Sequence, residues 1–184
     1  MKNYNSTLII NLIGGPCSGK STVAAELFAR LKKMGVHCEL VSEYIKERIY
    51  EENQTMPSNQ IPIFGMEHYS IVNKVGKVDC CVHDGSLINN VIYNKEENPE
   101  FDTLVVSEYN KFINLDFFIK RGNIEFEDYG RIHNLKQSKE LDKIIKETYN
   151  KYNLSFIEVE SRDAVDKMIP IILKKLESIK SGEQ

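Results

Sequence analysis

The feature that most constrains this chain is the segment at residues 14–22, which reads GGPCSGKST and matches the spacing G-x-x-x-x-G-K-[ST]. An apolar, β-branched run at residues 7–13 precedes it, and a helical pattern at residues 20–34 follows it. A strand that turns through glycines into a helix directs backbone N–H groups and a helix N-terminus at one place, which suits a phosphate group. The segment therefore predicts an α/β unit that binds the phosphates of a nucleotide.

The residue types in this segment predict separate contributions to that binding. Glycines let the backbone approach phosphate oxygens because no Cβ stands in the way. Lys20 is expected to reach the β- and γ-phosphates, and the Ser21 hydroxyl is expected to hold Mg²⁺. The candidate nucleotide-binding residues are Gly14, Gly15, Pro16, Cys17, Ser18, Gly19, Lys20, Ser21 and Thr22.

Beyond the phosphate loop, short apolar runs alternate with amphipathic stretches. Further strands are predicted at residues 37–42, 78–83, 117–120 and 154–159. Helices are predicted at residues 44–52 and 63–76, before residue 114, after the candidate N-cap Ser138, and around Pro170, which should kink the last helix or restart it. This β-α alternation predicts an α/β fold in which a parallel sheet is covered by helices on both faces.

Composition excludes several classes of protein. A chain of 184 residues with 41% hydrophobic and 28% charged residues fits a single folded domain at 1–184, not a disordered or low-complexity chain. The net charge of −3 argues against a protein that coats nucleic acid. The sequence has no apolar run of the roughly 20 residues that a membrane helix needs, and no signal-peptide pattern. Four cysteines without zinc-site spacing are expected to be reduced thiols in a cytoplasmic protein.

Two carboxylates follow predicted strands. Glu43 ends the second strand and Asp84 ends the third. Because ligands collect at the carboxyl ends of parallel strands, both should face the phosphate loop across one crevice. One carboxylate would orient Mg²⁺ and the other would accept the proton of an acceptor hydroxyl. Asp84 is assigned to Mg²⁺ and is also a candidate for the base, and Glu43 is the other candidate for the base. The sequence alone leaves these two roles interchangeable. His83 is expected to pack at a strand end.

The order of these features resembles P-loop kinases of the nucleoside and nucleotide kinase group. The local sequences GGPCSGKST, SEYIKE, HDGSL and YGR are most similar to ribosylnicotinamide-kinase-like domains and to small phage ATPase/kinase proteins. The resemblance covers nearly the whole chain. It implies a three-layer P-loop kinase fold with about five parallel strands, a small helical lid near residues 122–138, and ATP with Mg²⁺ as cofactors.

The resemblance also implies further site residues. An arginine after the fourth strand, Arg121, and a second in the lid, Arg131, would neutralise charge on the transferring phosphoryl group. Gly85 stands where such kinases often have an arginine. The stretch at residues 59–70 lacks cations, which favours a neutral hydroxyl acceptor over a monophosphate. The candidate acceptor-binding residues are Glu43, Tyr44, Gln60, Phe64, Glu67 and Ser86.

Three functions fit these features. The leading one is a kinase that moves the γ-phosphoryl group of ATP to a hydroxyl of a nucleoside-like small molecule, with nicotinamide riboside as one candidate. The second is a kinase acting on a polynucleotide 5′-hydroxyl or on a hydroxymethylated base in DNA. The third is a regulatory NTPase, or ATP-binding switch, that has no acceptor.

Overall fold

The computed structural model describes residues 4–42, 59–94, 98–122 and 135–182. The structure has five strands, β1 Leu8–Ile13, β2 Cys38–Val41, β3 Cys80–His83, β4 Ile113–Lys120 and β5 Ile157–Glu160. They form one parallel sheet in the order β2-β3-β1-β4-β5. The phosphate loop leaves the central strand β1, so the middle of the sheet lies directly behind it.

Helices cover both faces of the sheet. They are α1 Lys20–Lys33, α2 Gln60–Val72, α3 Asn89–Ile92, α4 Pro99–Tyr109, α5 Leu135–Lys151 and α6 Ala164–Ser181. Alternate residues of β1 point to opposite faces, so Leu8, Ile10 and Leu12 pack with α1 and α6. Ile9 and Ile13 pack in the second core, with α2, α4 and α5. The three-layer α/β architecture expected from the sequence is confirmed.

Several predicted boundaries were wrong. Strand β4 begins at Ile113, four residues before the predicted start, because its buried polar residue Asp116 is paired with Asn11 of β1. Helix α3 was not predicted. The helical stretch predicted to end at residue 114 corresponds to α4, which ends earlier, at Tyr109. Helix α5 begins at Leu135, so Ser138 lies inside it and is not its N-cap. Helix α6 continues through Pro170 without a restart.

Two expected elements cannot be placed on this fold. The helix predicted at residues 44–52 and most of the lid, at 123–134, lie outside the described residues. Within the described part, none of the helices is long and apolar enough to cross a bilayer.

Candidate active site

The phosphate loop adopts a backbone that its glycines permit. Gly14 has φ +142° and Gly19, the N-cap of α1, has φ +93°. A Cβ on Gly14 would lie 2.9 Å from Ser18 Oγ and 3.0 Å from Ile119 O, so the loop is packed closely against itself and β4. Lys20 Nζ donates to the carbonyls of Gly14, at 2.7 Å, and Gly15, at 3.1 Å. The ammonium group therefore lies against the first turn of the loop, at the N-terminus of α1.

Asp84 lies at the same end of the sheet as the phosphate loop. It follows His83 of β3, which is in register with Asn11 of the neighbouring strand β1. The Asp84 N–H donates to Val41 O of β2 at 2.9 Å, which holds the start of its loop against the sheet. Its side chain is buried, and among the described residues its Oδ1 has no hydrogen-bond partner. Leaving a buried carboxylate oxygen without a partner costs free energy of folding, so Oδ1 of Asp84 is suited to bind a cation.

A buried polar cluster lies behind Asp84, on the face of the sheet toward α4 and α5. Asn11 Nδ2 donates to Asp116 Oδ1 at 2.5 Å and to Asn114 Oδ1 at 3.1 Å. Asn11 Oδ1 lies 3.2 Å from His83 Nδ1. Tyr109 donates its hydroxyl to the other oxygen of Asp116. We call these five residues the sheet network.

Burial shifts the titration of this network. It lowers the pKa of His83 to about 4, which keeps the imidazole neutral at physiological pH. It raises the pKa of Asp116 to about 6, against the hydrogen bonds from Tyr109 and Asn11, which favour the carboxylate. Burial also raises the pKa of Tyr109 well above its ordinary value, so its hydroxyl stays protonated and donates.

Tyr149 of α5 connects the sheet network to the loop that carries Asp84. Its hydroxyl donates to Ser86 Oγ at 3.1 Å, and its ring is fully buried. Tyr149 also interacts with Asp116. Ser86, predicted to touch the acceptor, is buried and bonded within the protein, because its Oγ also accepts the Ile88 N–H at 3.3 Å. Its contacts here hold the loop that follows Asp84.

Arg121 follows β4, as predicted, and lies against the phosphate loop. Its Nη1 donates to Asp142 Oδ2 at 2.7 Å, and its Nη2 donates to Pro16 O at 3.1 Å. The other oxygen of Asp142 accepts the Gly15 N–H at 2.6 Å. Arg121 thus contacts the loop backbone directly at Pro16, and the carboxylate of Asp142 on α5 links it to Gly15.

The predicted acceptor residues of α2 are buried on its inner face. Gln60 and Glu67 are both more than 90% buried, and Glu67 Oε2 accepts from Asn90 Nδ2 of α3 at 2.9 Å. Phe64 packs edge-on against Phe101, with ring centroids 5.8 Å apart, and belongs to the core. The remaining predicted site residues, Glu43, Tyr44 and Arg131, lie outside the described residues.

Sequence reasoning missed the sheet network and Asp142. Asn11 interrupts the apolar run of β1, and Asp116 immediately precedes the apolar run of β4. Polar residues inside buried strands were therefore an available signal. Asp142 had no such signal, because a carboxylate on an amphipathic helix reads as an ordinary solvated residue.

Comparisons with known proteins agree with this fold. The profile of a family of AAA domains matches residues 9–167. Among solved structures, a deoxyadenosine kinase from M. mycoides, described with the products dCMP and dCDP bound, is 19% identical with a TM-score of 0.55. The alignment covers 94% of this chain and 99% of that kinase, so the two share a P-loop kinase-like fold. No curated protein sequence matches the chain.

Proposed function

The chain belongs to the AAA-domain family, and we propose that it transfers the γ-phosphoryl group of ATP to a hydroxyl of a nucleoside-like acceptor. One observation carries the proposal: the phosphate loop, with Lys20 against its first carbonyls, shares one end of the sheet with a buried carboxylate, Asp84, whose Oδ1 has no partner in the described part of the chain. The fold shared with a nucleoside kinase over nearly the whole chain supports the acceptor class.

The residues would divide the work of phosphoryl transfer between them. Backbone N–H groups of the loop would hold phosphate oxygens, and Lys20 would neutralise charge between the β- and γ-phosphates. Asp84 would serve as metal ligand or as the base that steers the acceptor proton, with Glu43 as the other candidate for the second role.

Asp84, whose buried Oδ1 has no partner among the described residues, fits a magnesium ion, and Ser21 is the second proposed ligand. Mg²⁺ uses one or two protein oxygens together with phosphates and waters, and it would supply positive charge to the phosphates of ATP. The described residues contain no group of three or more His, Cys, Asp or Glu side chains that could hold a metal.

The chemistry of α2 favours a neutral acceptor. Gln60 and Glu67 lie on its buried face, where Glu67 accepts from Asn90, so the charge of the helix and not these two side chains supports this part of the proposal. The helix contains no Lys or Arg. A phosphorylated acceptor generally needs such cations, so we propose a nucleoside-like hydroxyl compound, with nicotinamide riboside among the candidates.

The test is ADP release from Mg-ATP in the presence of separate acceptor pools. One pool holds nucleosides and nicotinamide riboside, one holds nucleoside monophosphates, and one holds DNA with free 5′-hydroxyl or hydroxymethyl-pyrimidine groups. We expect the nucleoside pool to stimulate release, and Asp84→Asn to reduce the stimulated rate roughly 100-fold or more. Asp166→Asn is the matched control, because this exposed carboxylate on α6 pairs with Arg30 in the last turn of α1, whereas the phosphate loop lies at the other end of that helix.

Each other result contradicts the proposal in a distinct way. Stimulation by DNA alone would identify a kinase of DNA hydroxyl groups, and stimulation by monophosphates alone would identify a nucleotide kinase. Hydrolysis that no pool alters would identify an ATP-binding switch. Absence of any nucleotide binding, measured by calorimetry, would reject the phosphate-loop assignment itself.

A further inference from the structure

We propose that Arg121, Ser138 and Asp142 form a clamp that holds the phosphate loop in its binding shape, and that Arg121 acts through this clamp instead of contacting the transferred phosphoryl group. The proposal rests on the proposed function, because it assigns new positioning residues to the same nucleotide site. We call these three residues the loop clamp.

Asp142 is the centre of the loop clamp because its two oxygens serve two different partners. Oδ1 accepts the backbone N–H of Gly15 at 2.6 Å, and Oδ2 accepts Nη1 of Arg121 at 2.7 Å. Hydrogen bonds to an ionised carboxylate are short and about twice as strong as neutral ones. The side chain is 23% exposed, so solvent competes with these bonds only in part. Asp142 therefore ties the start of the loop to the end of β4.

Arg121 has little capacity left for another ligand. Its side chain is 13% exposed, and all three of its nitrogens donate within the protein. Nε and Nη2 both donate to Pro16 O, Nη1 donates to Asp142, and Nη2 also donates to the backbone carbonyl and the hydroxyl of Ser138. Of the five N–H groups of a guanidinium, four serve these acceptors, and the two on Nη2 are shared among three oxygens. Turning the group toward a phosphoryl group would break several of these bonds. The geometry therefore assigns Arg121 to the support of the loop.

Ser138 completes the clamp from inside α5. Its hydroxyl donates to Pro16 O at 2.5 Å, and the hydroxyl oxygen of Ser138 accepts from Arg121 Nη2. The backbone of α5 is also close to the loop, because a Cβ on Gly15 would lie against Ser138 O and 2.6 Å from Arg121 Nη2. Gly15 and Pro16 are thus held by side chains from two elements that follow the loop by more than 100 residues in the chain.

The clamp and a direct phosphoryl contact predict different nucleotide affinities. A clamp gives the loop the shape that binds any phosphate group. Loss of the clamp should therefore weaken the binding of ADP and of ATP by the same factor. If the arginine instead contacted the γ-phosphoryl group, its loss would weaken the binding of ATP more than that of ADP and would lower kcat. Residues that act through one another also give non-additive double variants.

The experiment measures the Kd of ADP and of ATP by calorimetry for the full chain and its variants. Arg121→Lys, Asp142→Ala and the double variant are compared with Arg30→Ala and Asp166→Ala, an exposed ion pair with N···O 2.5 Å that does not touch the loop. We expect both Kd values to rise about 10-fold in each clamp variant, with no further rise in the double variant. Asp142→Asn should be intermediate, because its amide oxygen can still accept the Gly15 N–H while the charge is lost.

A second readout needs no nucleotide. In a ¹H–¹⁵N spectrum of the free protein, the Gly15 amide proton should resonate downfield because a carboxylate accepts it, and Asp142→Ala should move it upfield. Asp166→Ala should leave it unchanged, and the dispersion of the other resonances shows that each variant is folded.

Two results would overturn the clamp. The first is a Gly15 resonance that does not respond to Asp142→Ala. The second is a loss from Arg121→Lys that is larger for ATP than for ADP and persists in the Asp142→Ala background. If the unaltered chain binds no nucleotide, the proposed function fails, and the Gly15 resonance alone then decides whether the clamp exists.

Discussion

Asn11 Oδ1 lies 3.2 Å from His83 Nδ1, and this contact determines which nitrogen of the histidine carries the proton. The amide nitrogen of Asn11 already donates to Asp116 and Asn114, so its oxygen faces His83 and must accept. Nδ1 is therefore protonated and Nε2 carries a lone pair. That Nε2 is buried, and in the described part of the chain it has no hydrogen-bond partner.

The first prediction concerns the pH dependence that His83 gives to stability. Its native pKa of about 4 lies below the ordinary 6.5, so between these values the unfolded chain binds the proton and the native protein does not. Stability that is complete above pH 6.5 should fall as the pH approaches 4, by about 3 kcal/mol at 1.36 kcal/mol per unit. In urea unfolding, the difference between wild type and His83→Gln should shrink by this amount from pH 7 to pH 4. A difference independent of pH would contradict the prediction.

Asp116 should show the opposite dependence. Its native pKa of about 6 lies above the ordinary 3.8, so the native protein binds the proton first and the carboxylate destabilises the fold once it ionises. Asp116→Asn should lower stability at pH 4, where its hydrogen bonds are rearranged, and this deficit should shrink by about 3 kcal/mol by pH 7. The measurement is the same urea series. A deficit that grows with pH would show that the carboxylate is stabilised by the network.

Tyr149→Phe tests the link between α5 and the loop that carries Asp84. The hydroxyl is buried and donates to Ser86 Oγ, so its removal should cost about 1–2 kcal/mol of unfolding free energy. Tyr69→Phe is the matched control, because Tyr69 is 63% exposed on α2 and should lose nothing measurable. Chemical denaturation of both variants gives the comparison. Equal stabilities would mean that the Ser86 contact contributes nothing.

The parts of the fold that could be predicted from sequence depend on local pattern. Strand β1 was found from its apolar run, and α1 from the helical spacing of Val23, Leu27 and Leu31, all of which are buried. The phosphate loop was found because its residue types and its position between strand and helix are set within nine residues of sequence. Elements of this kind are explained by residues that are close together in the sequence.

The parts that were missed depend on partners distant in the chain. The first half of β4 looked unlike a strand because Asn114 and Asp116 are polar. The burial of Asp116 is explained in part by its bond to Asn11, 105 residues earlier in the chain. Asp142 looked like a solvated helix residue, and its contact with Gly15 spans 127 residues. Pairings of this kind exist only once the sheet is assembled.

Two glycine-to-alanine substitutions should distinguish the effect of a close packing contact on stability from the effect of helix propensity. Gly15→Ala would place a Cβ against the backbone oxygen of Ser138 in α5 and 2.6 Å from Arg121 Nη2. The loop or α5 must then shift, at a cost of about 1–3 kcal/mol by analogy with overpacked cores. Gly65→Ala is the matched control, because outside the neighbouring backbone of α2 no atom of the described residues lies within 4 Å of the new Cβ. Its position inside α2 predicts a gain of about 0.5–1 kcal/mol. Thermal unfolding should therefore shift in opposite directions, and a shift of the same sign would contradict the close approach of α5.

Alkylation of the four thiols should report directly on the phosphate loop. Cys17 is only partly buried in the loop, whereas Cys38, Cys80 and Cys81 are buried in the sheet, and burial raises the pKa of Cys81 to about 12. Because the thiolate is the reactive form and needs access, iodoacetamide should modify Cys17 first under native conditions.

The same reagent then reads out nucleotide binding. Mg-ATP at saturation should slow the first alkylation about 10-fold or more, because a ligand protects in proportion to its occupancy of the site. Cys17→Ser should abolish the fast reaction while leaving the three slow thiols, which appear only on unfolding in urea. Mass spectrometry of the labelled protein identifies the site. A fast reaction that survives in Cys17→Ser, or one that Mg-ATP leaves unchanged while calorimetry shows binding, would place the nucleotide away from this loop.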